Sequence, residues 1–285
     1  ITDLHPTQAQ GWWMDFYRLE YPLAGSKIVM ATMGGHEVQP TASGETVTYI
    51  YYYDLYTGAF PTNGPSDNMG RIYSFNYGNA HFVCLCSYQI NLNTQAVWLA
   101  SDLAAAKANL NTKWIFAFMH EPLYTTVTDP SRSGRPDCIA AWGPLFDQYV
   151  DIVFAGHNHL YERSYPIRAG QVVRMGEGPV YITDGMGGAE FNDGVMPNPL
   201  FAFRYGDIQT KIGGDPNAYK KTVATVVTIN GTHLTIQAIT NYNNQIIDTA
   251  EMYKVPQGDF TRDSKVDILD LKEFGGSWLD TGIWP

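Results

Sequence analysis

The spacing of apolar positions changes character along the chain, from strands alternating with helices to consecutive strands. Apolar alternation with β-branched and aromatic enrichment predicts strands over 46–53, 71–77, 81–88, 114–119 and 152–155, and later over 180–183, 222–229, 234–240 and 245–253. Asn230-Gly231 lies between two of these as a hairpin signal. Ala96, Leu99, Leu103 and Ala106 recur at three- and four-residue intervals, which predicts a helix over 95–109 behind a Thr94 cap, and 139–149 reads similarly. This order predicts an α/β fold in which two sheets form a β-sandwich flanked by helices (αββα). Pro256 and Gly258 close the last strand and charge density then rises, which divides the chain into 1–255 and a small element, 256–285.

Composition narrows the classes of function. With 285 residues, 45% of them hydrophobic and 16% charged, the chain can bury one large core or one core plus an appendage. Eighteen basic against 28 acidic residues give a net charge of −10 without any Lys/Arg cluster, so no nucleic-acid partner is expected. No apolar run approaches the roughly 20 residues of a membrane span. No signal-like segment opens the chain at Ile1. Cys84 and Cys86, two apart on an apolar run, face the same side of an extended chain, where a direct bridge is strained. The three cysteines read as buried free thiols, with a bridge from Cys138 to one of the others left open. Asn230-Gly231-Thr232 matches a glycosylation sequon and reads as a turn.

Candidate chemistry enters with the histidines. Two apolar strand runs lead directly into His120 and into His157-Asn158-His159. Ligand crevices in α/β sheets lie beyond strand carboxyl ends, because loops converge there over a rigid sheet. On extended chain His157 and His159 point the same way, so three imidazoles from two strand ends supply much of a metal shell. His81 and His233 read as structural.

These residues carry a family resemblance. Residues 156–163, Gly-His-Asn-His-Leu-Tyr-Glu-Arg, resemble the GHxHxYER signature of purple acid phosphatases and related bacterial metallophosphoesterases of the calcineurin-like superfamily. His120-Glu121-Pro122-Leu123-Tyr124 is similar to their His-x-Pro-x-Tyr motif, Gly34-Gly35-His36-Glu37 to GNHE, and 180–188 to their later strand and glycine turn. The likeness spans roughly 1–255. It implies hydrolysis of phosphate mono- or diesters at one or two zinc, iron or manganese ions. Residue by residue, His120 and His157 would bind one metal and His159 the other, Asp3 would bridge, and His36 would act as the general acid. Tyr161, Glu162 and Arg163 would support the ligand loop from behind. The chain departs from the pattern at Gly35, where the family has an asparagine ligand, and the family's opening strand lies upstream of Ile1. A competing expectation is therefore a degenerate esterase fold serving assembly or attachment.

Asp259, Thr261, Asp263, Asp267 and Asp270, with the Lys265 carbonyl, have the spacing of a calcium loop, and 268–279 has the apolar spacing of an exiting helix. This stretch resembles one dockerin-type repeat, with Ser264 in place of the turn glycine. The resemblance implies Ca2+, a secreted, extracellular or periplasmic protein, and a protein partner reached through the hand or through exposed strand edges.

Overall fold

The apolar runs become the middle of one sheet. The computed structural model describes residues 18, 21–22, 25–35, 59–66, 70–88, 91–187, 195–206, 222–241, 244–254 and 266–280. Strands β1 (Tyr73–Tyr77), β2 (Ala80–Cys84), β3 (Trp114–Phe118), β4 (Ile152–Ala155), β5 (Tyr161–Arg168), β6 (Gln171–Val172) and β7 (Val180–Asp184) form a sheet in the order β1-β2-β3-β4-β7-β5-β6, and β8 (Phe201–Tyr205) pairs with β5. The run β2-β3-β4-β7 is parallel. Parallel strands need both faces covered, and Trp114, Ile115, Phe116 and Ala117 of β3 are all buried. Helices α1 (Leu92–Ala108) and α2 (Pro136–Tyr149) together cover one of these faces, with Leu99, Leu103, Trp142 and Phe146 joining Val83, Ile115, Ala117 and Val153 in one buried cluster. The result is the predicted α/β class, a sheet core flanked by helices.

The differences from the predicted elements have local causes. Helix α1 starts a turn earlier than expected, because Asn91 rather than Thr94 is its cap: Asn91 Oδ1 accepts from the backbone N–H groups of Asn93 at 2.9 Å and Thr94 at 3.2 Å. Gln95 is buried on that first turn, and its amide exchanges hydrogen bonds with the backbone of Cys86. Strand β5 escapes the pattern because Glu162, Arg163 and Arg168 break the apolar alternation and Pro166 sits at a register shift against β7. The strand expected over 46–53 lies outside the described residues.

The chain divides into two compact units, Ile1–Val223 and Ala224–Pro285. The second holds a three-stranded sheet, ordered β11-β10-β9, of β9 (Val223–Asn230), β10 (His233–Thr240) and β11 (Ile246–Tyr253), with helix α3 (Ile268–Asp280). The boundary expected between 255 and 256 therefore falls inside the second unit. His233 stacks on Tyr253 across the β10–β11 register, ring centroids 4.4 Å apart.

The start of α3 is a reciprocal cap. Asp267 Oδ1 accepts from Leu269 N at 2.8 Å, and Asp270 Oδ2 accepts from Asp267 N at 2.7 Å. Two of the expected calcium ligands thus also hold the helix end, while Asp259, Thr261, Asp263 and Lys265 lie outside the described residues.

All three cysteines are free and buried. Burial pushes the Cys84 thiol up to about 12, Cys86 to about 11 and Cys138 to about 12, so none is poised as a nucleophile. His81 is tied on both ring nitrogens, to Asn76 Oδ1 and to Asp102 Oδ2, each at 2.9 Å, and Asp102 also accepts from Ser74 Oγ at 2.7 Å. That network fastens the β1–β2 hairpin to α1.

Candidate metal centre

The sheet aligns the two histidine motifs by backbone pairing alone. Strands β3 and β4 are parallel neighbours in the register Phe116↔Ile152, Ala117↔Val153 and Phe118↔Phe154. The ladder continues past both strand ends, with Met119 N donating to Phe154 O at 3.1 Å and Gly156 N to His120 O at 2.9 Å. His120 and His157 therefore emerge side by side.

Their rings meet. His157 Nδ1 lies 3.2 Å from His120 Nε2, with ring centroids 5.1 Å apart. His157 Nε2 is 3.5 Å from Ser131 O, a long contact that favours the tautomer with its proton on Nε2 and leaves Nδ1 as an acceptor toward His120. Two imidazole nitrogens on one tetrahedral zinc-like ion stand about 3.3 Å apart. The observed separation fits either that edge or a single shared proton, and a cation would displace the proton. The pair thus fits half of a tetrahedral shell.

The loop after β4 is not the extended chain expected from the sequence. His157 has φ of 65°, the left-handed region that a non-glycine residue adopts at a cost. Asn158 N donates to Gly156 O at 2.7 Å and Leu160 N to Asn158 O at 2.8 Å, so residues 156–160 turn twice. The turned loop lies so close to the end of β7 that a Cβ on Gly185 would stand 2.1 Å from Asn158 O. Only glycine fits there. His157 consequently faces His120, whereas among the described residues no group of three or more His, Cys, Asp or Glu side chains is arranged to hold a metal. His159 is half-buried on the same loop, and Asp3 and His36 lie outside the described residues.

The space beside Gly35 is occupied. A Cβ at that position would stand 2.8 Å from the Tyr88 hydroxyl oxygen and 2.9 Å from Cζ. The Tyr88 ring packs against His120, centroids 5.6 Å apart. Burial, then the nearby Glu121 carboxylate, raise the phenol well above its ordinary pKa, so it stays protonated. Glu121 pairs in turn with Arg135, which also binds Asp137 and donates to Ser87 O at 2.9 Å. A Tyr88–Glu121–Arg135 chain thus backs one side of the histidine pair.

Residues 3–161, more than half of the chain, match the calcineurin-like phosphoesterase family. The chain belongs to the calcineurin-like phosphoesterases. It is 35% identical over 179 residues to purple acid phosphatase 13 of Arabidopsis thaliana, covering 62% of this chain and 32% of that protein. It is 37% identical over 180 residues to purple acid phosphatase 23 of the same plant, covering 62% and 37%. The chain thus spans about a third of the length of these curated relatives. Among solved structures, a purple acid phosphatase, PPD1 from yellow lupin seeds, superimposes with a TM-score of 0.62 at 18% identity, over 87% of this chain and 44% of that one. GAP50, described as the anchor in the inner membrane complex of Plasmodium, gives a TM-score of 0.51 at 13% identity, over 96% and 90%. These likenesses show the fold. Calcineurin-like phosphoesterases and purple acid phosphatases use a dinuclear metal centre.

In this family member, the signature residues after the histidines lie on β5. Tyr161 is fully buried against Phe203, and Arg163 is half-buried on the same strand. Glu162 Oε2 accepts from Thr126 N at 3.0 Å and Thr126 Oγ1 at 2.8 Å. That contact pins the loop that follows His120. Burial raises the Glu162 pKa despite the threonine hydroxyls. A raised carboxyl pKa gives stability that is full below the ordinary value of 4.5 and lost as pH rises through the folded value. Glu162→Gln keeps an acceptor without the charge, so its melting temperature is expected to gain on wild type as pH rises from 4.5. Glu162→Ala leaves the Thr126 N–H unpaired and should cost about 1–3 kcal/mol at every pH. Parallel pH–melting curves for wild type and the glutamine variant would refute this account.

Among the described residues, the positions that the motifs did not signal are Tyr88, Ser131, Arg132 and Arg135. Ser131, Arg132 and Arg135 have only their proximity to the His-x-Pro-x-Tyr motif as a sequence trace and Tyr88 has none, because contact with the pair is made by folding.

Proposed function

We propose that this chain is a metal-dependent phosphoesterase of the purple-acid-phosphatase-like group, acting on phosphate mono- or diesters. One observation carries the reading: two imidazole nitrogens 3.2 Å apart, delivered by adjacent parallel strands. His120 and His157 would hold a zinc, iron or manganese ion, with His159 and Asp3 as further ligands. A bound ion supplies polarisation of the phosphoryl group and a water of lowered pKa. His36 would give a proton to the leaving oxygen. Tyr88 and the Glu121–Arg135 pair keep His120 oriented from one side, and the Ser131 carbonyl orients His157 from the other. The relatives' names support a phosphate-ester substrate, among them a phosphoenolpyruvate phosphatase of Allium cepa, 33% identical over 173 residues, 55% of this chain and 34% of that protein.

A second reading is an attachment or assembly protein. It is favoured by the filled space beside Gly35 and by the fold likeness to the Plasmodium anchor. In either case we read Asp259, Thr261, Asp263, Lys265, Asp267 and Asp270 as a dockerin-like calcium hand, suited to a secreted or periplasmic protein. Such a hand, or an exposed strand edge, would be the means of engaging a protein partner. No helix among the described residues is long and apolar enough to cross a membrane.

Metal analysis joined to turnover of p-nitrophenyl phosphate tests the two readings. The expected result is at least one transition-metal ion per chain, one calcium removable by chelator, and hydrolysis that follows the transition metal. Less than one such ion with no hydrolysis would retire the enzyme in favour of attachment.

A further inference from the structure

We propose that Arg132 is a specificity-determining residue that selects doubly charged phosphomonoesters over diesters, an inference that rests on the phosphoesterase reading above. The loop between His120 and α2 folds back over His157. Within it Pro130–Arg132 forms a single 3₁₀ turn, capped by Asp129, whose Oδ1 accepts from Ser131 N at 2.9 Å and Ser131 Oγ at 2.8 Å. The turn puts Ser131 and Arg132 on either side of one histidine: Ser131 O faces the His157 ring, and Arg132 Nη1 donates to His157 O at 3.3 Å. The guanidinium is therefore anchored to the backbone of the residue whose ring meets His120.

The charge of Arg132 is uncommitted, unlike that of its neighbour. Arg135 is neutralised by Glu121 and Asp137. Arg132 makes no ion pair among the described residues. Asp129, three residues earlier, is held by Ser131, and Arg132 contributes only a lesser share of the lowering of its pKa, behind the Ser131 hydrogen bonds. With one Nη1 N–H given to the His157 carbonyl, the remaining donors of this half-buried guanidinium are left to meet an anion on the histidine pair. Guanidinium binds two oxygens of a phosphate at once. A monoester dianion has three non-bridging oxygens and two charges, whereas a diester has two oxygens and one charge. The second charge of the monoester is the group that Arg132 is placed to meet.

The test compares wild type with Arg132→Gln and Arg132→Lys, all loaded with zinc or manganese. Glutamine keeps an N–H for the His157 carbonyl without the charge, and lysine keeps the charge without the fork. The kcat/KM ratio of p-nitrophenyl phosphate to bis(p-nitrophenyl) phosphate is expected to fall about 10- to 100-fold in Arg132→Gln and less in Arg132→Lys. Inorganic phosphate, titrated by calorimetry, should bind about tenfold or more weakly to Arg132→Gln. Equal losses on the two esters, or equal phosphate affinity in wild type and Arg132→Gln, overturn the assignment. Absence of turnover in wild type sinks the phosphoesterase reading alone, since phosphate affinity still decides for or against Arg132.

Discussion

Replacing His120 or His157 with alanine is expected to abolish transition-metal retention and to lower phosphomonoester turnover by more than about 100-fold, with little change in melting temperature. Each ring supplies one nitrogen of the 3.2 Å pair, so losing either leaves the other without a facing donor. The fold should survive because the alignment is held by backbone groups, Met119 N to Phe154 O and Gly156 N to His120 O, which alanine retains. Metal content after dialysis and steady-state kinetics check this together. Variants that keep their full metal complement would show that the pair is a hydrogen bond and nothing more.

Restoring the family's asparagine at position 35 should fail to repair the site. A Cβ there would stand 2.8 Å from the Tyr88 hydroxyl and 2.9 Å from its ring carbon, so Gly35→Asn must displace a rigid phenol that packs against His120. Overpacking of this kind costs about 1–3 kcal/mol, several degrees in melting temperature. Combining it with Tyr88→Ala empties the space, and the double variant should be more stable than the sum of the single changes predicts by at least about 1 kcal/mol. Thermal melts of the four proteins measure that coupling. A Gly35→Asn protein that melts with wild type would mean that Tyr88 swings aside freely. The glycine is thus more than a missing ligand: it is the room that Tyr88 needs.

The same pair of residues marks the limit of reading from sequence. Gly35 stands out as a departure from a motif, but Tyr88, 53 positions later, is an ordinary aromatic at the end of an apolar run. Glu121 and Arg135 likewise read as a motif filler and a loop cation until the loop brings them together. His157 and His159 read as neighbours facing one way, which holds only for extended chain. The chain instead turns left-handed at His157, and Gly185, remote in sequence, is what lets that turn lie against β7.

What the sequence determined by itself was local and periodic: the apolar strands, the two helices that cover them, the motifs at two strand ends, and with these the family. Such features depend on side-chain spacing along a few residues of backbone, which composition and order carry directly. The tertiary structure alone decided which groups surround the histidines. Parallel pairing of β3 and β4 placed His120 beside His157, and loop folding brought Tyr88, Ser131 and Arg132 to them. Those neighbours are chosen by backbone register and close packing between distant segments, and no periodicity in the chain records them.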